Sequence, residues 1–220
     1  MNNWLRKFIA PVALVASGLL SGTAMASIAT EVGDAGHLIG TAQTVAAGTT
    51  QIDGNGSNND VDIFHFGWGG GNLTFDTIGT SYDTILFLFN SSGVGIQAND
   101  DAGGVNGVQS ILSVIGLAAG DYYLAIGNCC IQPVSGAGQI YNDFCCGGQQ
   151  TPNGPGALGA LTGWEDYGSN TPSNIQAGRT PYSIHLSGAT SSANGVPEPG
   201  SLALAALALL GLGAARRRSR

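Results

Sequence analysis

Residues 81–89 read SYDTILFLF, and this stretch decides the class of fold. From Thr84 to Phe89 the run is apolar on both faces of a strand, which is typical of a central strand in a β-sandwich. A turn at 90–93 and the segment 94–98 follow, and they predict a hairpin partner for that strand. The stretch therefore indicates an all-β protein with a central strand covered on both sides.

Short apolar runs separated by turn residues continue on both sides of this stretch. Glycine supplies 36 of the 220 residues, and Asn, Ser and Thr fill the spaces between apolar runs, which favours short strands over helices. Within 61–66, Val61, Ile63 and His65 alternate with the other three residues, so each set occupies one face of a strand. Further strands are predicted at 42–52 (one or two), 72–77, 110–115 paired with 122–126, and 181–186.

The first 26 residues have the order of a secretory signal peptide. Arg6 and Lys7 precede an apolar run from Phe8 to Leu20, and small residues ending in Ala24-Met25-Ala26 follow. The 13 apolar residues are fewer than the ~20 that a transmembrane helix needs, which favours cleavage over a membrane anchor. We expect cleavage near Ala26 and export of the rest of the chain.

The C-terminal end contains three features in a fixed order. The motif Val196-Pro197-Glu198-Pro199 comes first, an apolar run at 200–215 second, and a basic end at 216–220 third. A helix over the apolar run would reach ~24 Å, slightly less than a hydrocarbon core, with the arginines on the cytoplasmic side. This order resembles the PEP-CTERM sorting tail. The resemblance implies transient insertion in the inner membrane, cleavage at the Pro-Glu-Pro motif by an exosortase, and a mature protein outside the cell; a generic C-terminal anchor is the alternative.

Basic residues are almost confined to these two ends. Of the seven Lys and Arg residues only Arg179 lies between them, where thirteen acidic residues give a net charge near −12. Nucleic acid and anionic lipid are therefore implausible partners, because nothing could neutralise their phosphates. Cation binding or simple solubility is the natural interpretation of so acidic a surface.

A segment from about residue 127 to Arg179 is rich in Gly, Pro and Asn and interrupts the strand pattern. Loops of this length inside a domain are usually functional or disordered. Four cysteines in this segment argue that at least its first half is ordered. The sequence therefore predicts a long loop insertion in a single sandwich domain.

The cysteines form two vicinal pairs, Cys129-Cys130 and Cys145-Cys146. Neighbouring cysteines rarely bond each other because the ring is strained, and an exported protein can hold disulfides. Two bridges between the pairs are predicted, either 129–145 with 130–146 or 129–146 with 130–145. A four-thiolate zinc site is the alternative, although the cysteines of such sites are usually spaced by two or more residues.

Five segments carry a second resemblance: DVDIF at 60–64, SYDTILFLF at 81–89, NDDAG at 99–103, LAAGDYYL at 117–124 and YSI at 182–184. In this order they resemble the bacterial pre-peptidase C-terminal domain, in the variant found with PEP-CTERM tails. The resemblance implies a jelly-roll-like β-sandwich that serves as a non-catalytic accessory module, of which some bind calcium and some bind polymers. The chain then divides into a signal peptide at 1–26, this domain at 27–188, a linker at 189–195 and the sorting tail at 196–220.

Acidic and amide side chains gather at the predicted strand ends. Calcium takes six to eight oxygen ligands, often from loops that bring carboxylates and carbonyls together. The alternative is that these side chains cap turns by accepting hydrogen bonds from nearby backbone N–H groups. The predicted calcium ligands are Asp60, Asp62, Asp83, Asn99, Asp100 and Asp101.

Aromatic residues in predicted loops suggest a polymer-binding surface. Trp68, Trp164 and Tyr167 are the candidates, because sugar rings stack on such side chains. The alternative is that they plug the ends of the sandwich or pack under the cysteine-bearing lobe. A pull-down with exopolysaccharide would separate the two.

The sequence contains no motif for hydrolysis or nucleotide binding. G-x-S-x-G, H-E-x-x-H and a phosphate loop are all missing from it. We therefore expect an exported, non-catalytic surface or extracellular-matrix protein, associated with exopolysaccharide or biofilm and stabilised by calcium. A carbohydrate-binding module is the second hypothesis and a secreted hydrolase the third.

Overall fold

The computed structural model describes residues 26–56, 60–103, 107–142, 147–166 and 180–188. Within these ranges the chain forms short β-strands and one 3₁₀ turn, Ile39–Thr41. The strands are β1 (Ser27–Thr30), β2 (Gln43–Thr44), β3 (Thr49–Gly56), β4 (Val61–Trp68), β5 (Gly71–Asp76), β6 (Thr84–Asn90), β7 (Gly95–Asn99), β8 (Ile111–Leu117), β9 (Gly120–Asn128), β10 (Ile131–Ser135), β11 (Gly138–Gln139), β12 (Gly163–Asp166) and β13 (Thr180–Gly188).

Two five-stranded sheets pack face to face. Sheet 1 has the strand order β1-β3-β13-β5-β8, and sheet 2 has the order β2-β4-β9-β6-β7. The short outer strands β1 and β2 pair in parallel with β3 and β4, and the other described pairs within these sheets are antiparallel. Ile52, Phe75 and Ile184 of sheet 1 meet Phe64 and Leu86 of sheet 2 in the first core. The predicted all-β sandwich is confirmed.

Strand β6 is apolar on both faces because a different core covers each face. Leu86 and Leu88 point into the first core, whereas Phe87 and Phe89 point into a second core on the outer side of sheet 2. Strand β4 divides in the same way between the two cores. The alternation predicted for 61–66 and the two-sided burial predicted for 84–89 are therefore both confirmed.

A cap sheet, formed by β10, β11 and β12 in the order β11-β10-β12, covers the second core. The rings of Tyr141, which follows β11, and of Trp164 in β12 contact the Phe87 ring, with centroid distances of 5.7 and 5.4 Å. The prediction of a loop insertion is therefore wrong for the described residues between 131 and 166. They form strands because the outer face of sheet 2 would otherwise expose large apolar side chains, and burying each one is worth about 1.5–3 kcal/mol.

Strands β8 and β9 do not pair with each other as predicted. Strand β8 pairs with β5 in sheet 1, whereas β9 lies between β4 and β6 in sheet 2. The connection at Ala118 and Ala119 therefore crosses from one sheet to the other, which lets both strands face the first core. Strand β4 also extends beyond the predicted 61–66 to Trp68, which lies opposite Gly120 of β9.

Several predictions concern residues outside the described ranges. They are the signal peptide, the linker, the sorting tail with Val196 to Pro199, and the side chains of Cys145, Cys146 and Tyr167. No helix in the described part of the chain is long and apolar enough to cross a membrane.

Candidate functional site

Four carboxylates gather where the start of sheet 1 meets sheet 2, and we call them the acidic cluster: Glu31, Asp34, Asp60 and Asp62. Ligand atoms of Glu31, Asp34 and Asp62 all lie within 4.8 Å of one another. Asp60 and Asp62 flank the start of β4 and are each only 2% exposed. The cluster is thus an all-oxygen set with its deepest members shielded from water.

Local backbone contacts hold the outer members in place. Glu31 follows β1, and its two carboxylate oxygens accept hydrogen bonds from the backbone N–H groups of Ala35 (3.1 Å) and Asn55 (2.8 Å). Asp34 accepts one from the N–H of Gly36 at 2.9 Å. These bonds fold the segment after β1 back over the start of β4, so that both carboxylates face Asp62.

The deepest carboxylate, Asp62, is held by a tyrosine of the opposite sheet. The hydroxyl of Tyr182 on β13 donates to Asp62 Oδ2 at 2.8 Å. Burial, followed by the charges of Glu31, Asp60 and Asp34, raises the pKa of Asp62 to about 8, although the Tyr182 hydrogen bond opposes the shift. Burial and the neighbouring carboxylates also raise the pKa of Tyr82 and Tyr182, so both remain neutral phenols.

No lysine or arginine lies in the part of the chain that the structure describes. Among these residues no lysine or arginine neutralises Glu31, Asp34 or Asp62, and bringing like charges together near a buried carboxylate is costly. A bound cation would offset that repulsion. Carboxylate oxygens are the ligands that calcium prefers, and Glu31, Asp34 and Asp62 could hold it, with Asp60 adding charge close by.

The predicted calcium ligands fall into two separate groups. Asp60 and Asp62 belong to the acidic cluster, whereas Asp83 and Asp100 lie with Cys129 at another place on sheet 2. Sequence reasoning missed Glu31 and Asp34. The signal that could have found them is the pattern EVGD at 31–34, in which a turn glycine separates two acidic residues just before the first buried segment.

The Asn99 side chain and the Asp101 backbone are engaged in hydrogen bonds. The Asn99 side-chain oxygen accepts a hydrogen bond from the backbone N–H of Ile111 at 2.6 Å, and its amide donates to the carbonyl of Asp101 at 3.4 Å. The backbone N–H groups of Asp100 and Asp101 both donate to the carbonyl of Gly147. The Asn99 side chain therefore joins the end of β7 to the start of β8, and its oxygen is engaged by the backbone of Ile111.

The two described candidates for sugar stacking are buried. Trp164 is 3% exposed, lies against Phe87 and Phe89, and its indole N–H donates to the carbonyl of His37 at 2.7 Å. Trp68 is 8% exposed and belongs to the first core. Their positions favour the packing alternative, because a sugar could not reach either ring face.

Comparisons with known proteins bear on the ends and on the fold. Residues 195–218 match the family described as the PEP-CTERM protein-sorting motif. Among solved structures, the chain is similar to the pre-peptidase C-terminal domain of collagenase from Bacillus anthracis, at 11% identity and a TM-score of 0.33, over 74% of this chain and 97% of that one. No curated protein matches the chain. The chain is therefore an exported protein that carries a PEP-CTERM sorting motif and is located at the cell surface after a transient stay at the membrane.

Proposed function

We propose that this protein is a non-catalytic component of the cell surface or extracellular matrix, whose sandwich is of the pre-peptidase C-terminal type and is stabilised by calcium. The observation that carries the proposal is the acidic cluster. Asp60 and Asp62 are buried, Glu31 is half-buried and Asp34 is exposed, and the described residues of the domain include no lysine or arginine. A divalent cation would offset the mutual repulsion of Glu31, Asp34 and Asp62, whose ligand atoms lie within 4.8 Å of one another.

Calcium suits this cluster better than magnesium does. Calcium accepts irregular sets of six to eight oxygens, whereas magnesium demands a near-ideal octahedron and gives up its water reluctantly. Glu31, Asp34 and Asp62 come from a loop and a strand, and the backbone hydrogen bonds to Glu31 and Asp34 limit how far they can rearrange. Extracellular calcium modules typically bind with Kd values of about 10⁻⁴–10⁻³ M, which fits a site open to the medium.

The test is thermal unfolding of the exported protein in calcium, in magnesium and in EDTA. A ligand that binds only the folded state stabilises it by about 2.7 kcal/mol at a hundredfold excess over its Kd, so the melting temperature should rise in calcium. Glu31→Gln should remove most of that rise. Asp121→Asn is the matched control, because Asp121 is largely exposed and lies on β9 beside His65. Equal melting temperatures in calcium and EDTA would contradict the calcium proposal.

The exosortase proposal has its own test. Replacing Pro197 and Pro199 by alanine should block processing, so that the unprocessed chain accumulates in the inner-membrane fraction. Ser191→Ala, in the linker just before the motif, is the control and should be processed normally. Normal processing of the motif variant would exclude this motif as the cleavage signal.

Of the residues predicted to bind polymer, Trp68 and Trp164 are buried and Tyr167 lies outside the described residues, so the polymer-binding alternative also requires a search of other surfaces. The outer face of sheet 1 is the one to examine, because it displays the polar side chains of Asp53, Ser183 and His185. Pull-down with the host's exopolysaccharide distinguishes the two functions. Retention of the exported protein on the polymer would favour a binding module over a purely structural component.

A further inference from the structure

A second group of side chains offers both sulfur and oxygen atoms as ligands: Asp83, Asp100, Cys129 and Cys130. Ligand atoms of Asp83, Asp100 and Cys129 all lie within 4.8 Å of one another. The Sγ atoms of Cys129 and Cys130 are 3.1 Å apart, which is longer than the ~2.05 Å of a disulfide, so these neighbours are not bonded to each other. We propose that these four residues, the aspartate–cysteine cluster, bind a thiophilic divalent cation of the zinc type.

The topology of sheet 2 brings the four residues together. Asp83 precedes β6, Asp100 follows β7, and Cys129 follows β9. Because β6 runs antiparallel to both neighbours, its start lies beside the ends of β7 and β9. The backbone N–H of Cys129 also donates to the carbonyl of Asp83 at 3.0 Å, and Cys129 Sγ lies 3.7 Å from Asp100 Oδ2. The arrangement is therefore fixed by strand pairing.

The backbone at Cys130 is held in an unfavourable conformation that brings the two sulfurs together. Its φ of 77° makes it the one non-glycine residue of the described chain with a positive φ. That region costs an ordinary residue about 1–2 kcal/mol. In an extended strand, neighbouring side chains point to opposite faces. The left-handed turn instead brings the Cys130 Sγ to 3.1 Å from the Cys129 Sγ, which itself lies within 4.8 Å of carboxylate oxygens of Asp83 and Asp100.

The aspartate–cysteine cluster contains shielded carboxylates whose negative charge a bound cation would neutralise. Asp100 has no exposed surface, and Asp83 Oδ1 is shielded from solvent without a hydrogen-bond partner among the described residues. A coordinated cation would bind the Cys129 sulfur as a thiolate and displace its proton.

The donor atoms select the kind of ion. Calcium and magnesium are bound by oxygen, whereas thiolate ligands select softer ions such as zinc. Zinc takes four ligands in a tetrahedron, with Zn–S near 2.3 Å and Zn–O near 2.0–2.2 Å, which puts two bound sulfurs about 3.8 Å apart. The Cys129 and Cys130 sulfurs must therefore separate by several tenths of an ångström. The aspartate–cysteine cluster shares no residue with the acidic cluster, so the zinc proposal and the calcium proposal can be disproved separately.

The first experiment measures metal in the exported protein, purified without chelator or reductant. We expect about one zinc per chain, and X-ray absorption should show two sulfurs near 2.3 Å together with oxygens near 2.0–2.2 Å. Peptide mapping without reduction should show Cys129 and Cys130 as thiols. A zinc bound by four sulfurs, or Cys129 joined in a disulfide as the sequence favours, would overturn the proposal.

Variants then locate the site by competition with a chromophoric zinc chelator. Cys129→Ser and Asp83→Asn should each weaken zinc binding about tenfold or more. Asp34→Asn is the control and should leave zinc binding unchanged while weakening the response to calcium. Cobalt added to the metal-free wild-type protein should give a sulfur-to-cobalt charge-transfer band, a readout that does not depend on the folding of any variant. Absence of that band would also overturn the proposal.

Discussion

The Tyr182 hydroxyl lies 2.8 Å from Asp62 Oδ2, and this hydrogen bond joins the two sheets of the sandwich across the edge of the first core. Tyr182 belongs to β13 in sheet 1 and Asp62 to β4 in sheet 2. Both side chains are only 2% exposed. The bond therefore links the stability of the sandwich to the protonation and metal occupancy of the acidic cluster.

Tyr182→Phe removes the donor and leaves a buried carboxyl group with fewer hydrogen bonds. Such a loss costs about 1–3 kcal/mol in the free energy of unfolding. Urea unfolding of the exported protein in EDTA measures it. Tyr122→Phe is the matched control. It also removes a hydroxyl group, which donates to the carbonyl of Ala118 at 2.9 Å, and Tyr122 lies outside the acidic cluster. Both variants should be destabilised, and only Tyr182→Phe should change the response to calcium.

The raised pKa of Asp62 predicts that stability without calcium falls as the pH rises. Its pKa is about 8 in the folded protein against the ordinary 3.8 of an aspartate, so between these values the folded state holds a proton that the unfolded state has lost. The stabilisation is fully present below about pH 4 and is lost as the pH passes through about 8. Denaturant unfolding in EDTA should therefore show decreasing stability from about pH 5 to about pH 9.

Asp62→Asn tests whether Asp62 causes that slope. Asparagine does not titrate in this range, so in EDTA the variant should be more stable than the wild type at about pH 9 and similar at about pH 5. In calcium the order should reverse, because the variant lacks one carboxylate ligand. Asp121→Asn should leave the slope unchanged. If Asp62→Asn keeps the wild-type slope, the titrating group is another residue.

Trp164 packs the cap sheet against sheet 2, and truncating its side chain tests how much the second core contributes to stability. Trp164→Ala removes contacts with Phe87 and Phe89 and should cost about 3–5 kcal/mol. Trp164→Phe keeps most of the apolar contact and loses the hydrogen bond to His37, so it should cost only about 0.5–1.5 kcal/mol. Denaturant unfolding measures both. Loss of polymer binding in Trp164→Ala at unchanged stability would instead support the sugar-stacking interpretation.

The sandwich could be predicted from the sequence because the alternating residues at 61–66 and the apolar run at 84–89 correspond to the faces of β4 and β6 that are buried. It did not reveal the cap sheet, because β10 to β12 are short and separated by Gly- and Pro-rich turns that read as a loop. The pairing of β8 with β5 was also missed. Strands that follow each other in the sequence are expected to pair, and β8 departs from this expectation because it packs against the first core from sheet 1.

The candidate site was predictable only in part. Asp62 and Asp83 stand out as aspartates at strand ends, but whether they meet depends on strand order, and sheet 2 places them in different groups. Glu31 reaches the acidic cluster through β1, a four-residue parallel strand without a distinct sequence pattern. Cys129 likewise lies beside Asp83 and Asp100 because of the strand order β9-β6-β7, and no local sequence motif predicts that order.

Gly54 gives a test of the geometry of the acidic cluster that leaves every carboxylate in place. A Cβ atom added at Gly54 on β3 would collide with the Tyr182 hydroxyl and with Glu31 Oε2. Gly54→Ala should therefore displace both side chains, lower the stability by about 1–3 kcal/mol, and weaken calcium binding measured by calorimetry. Gly40→Ala is the matched control, because nothing lies within 4 Å of a Cβ at that position. If Gly54→Ala binds calcium as tightly as Gly40→Ala does, Glu31 and the residues around it do not form the calcium site.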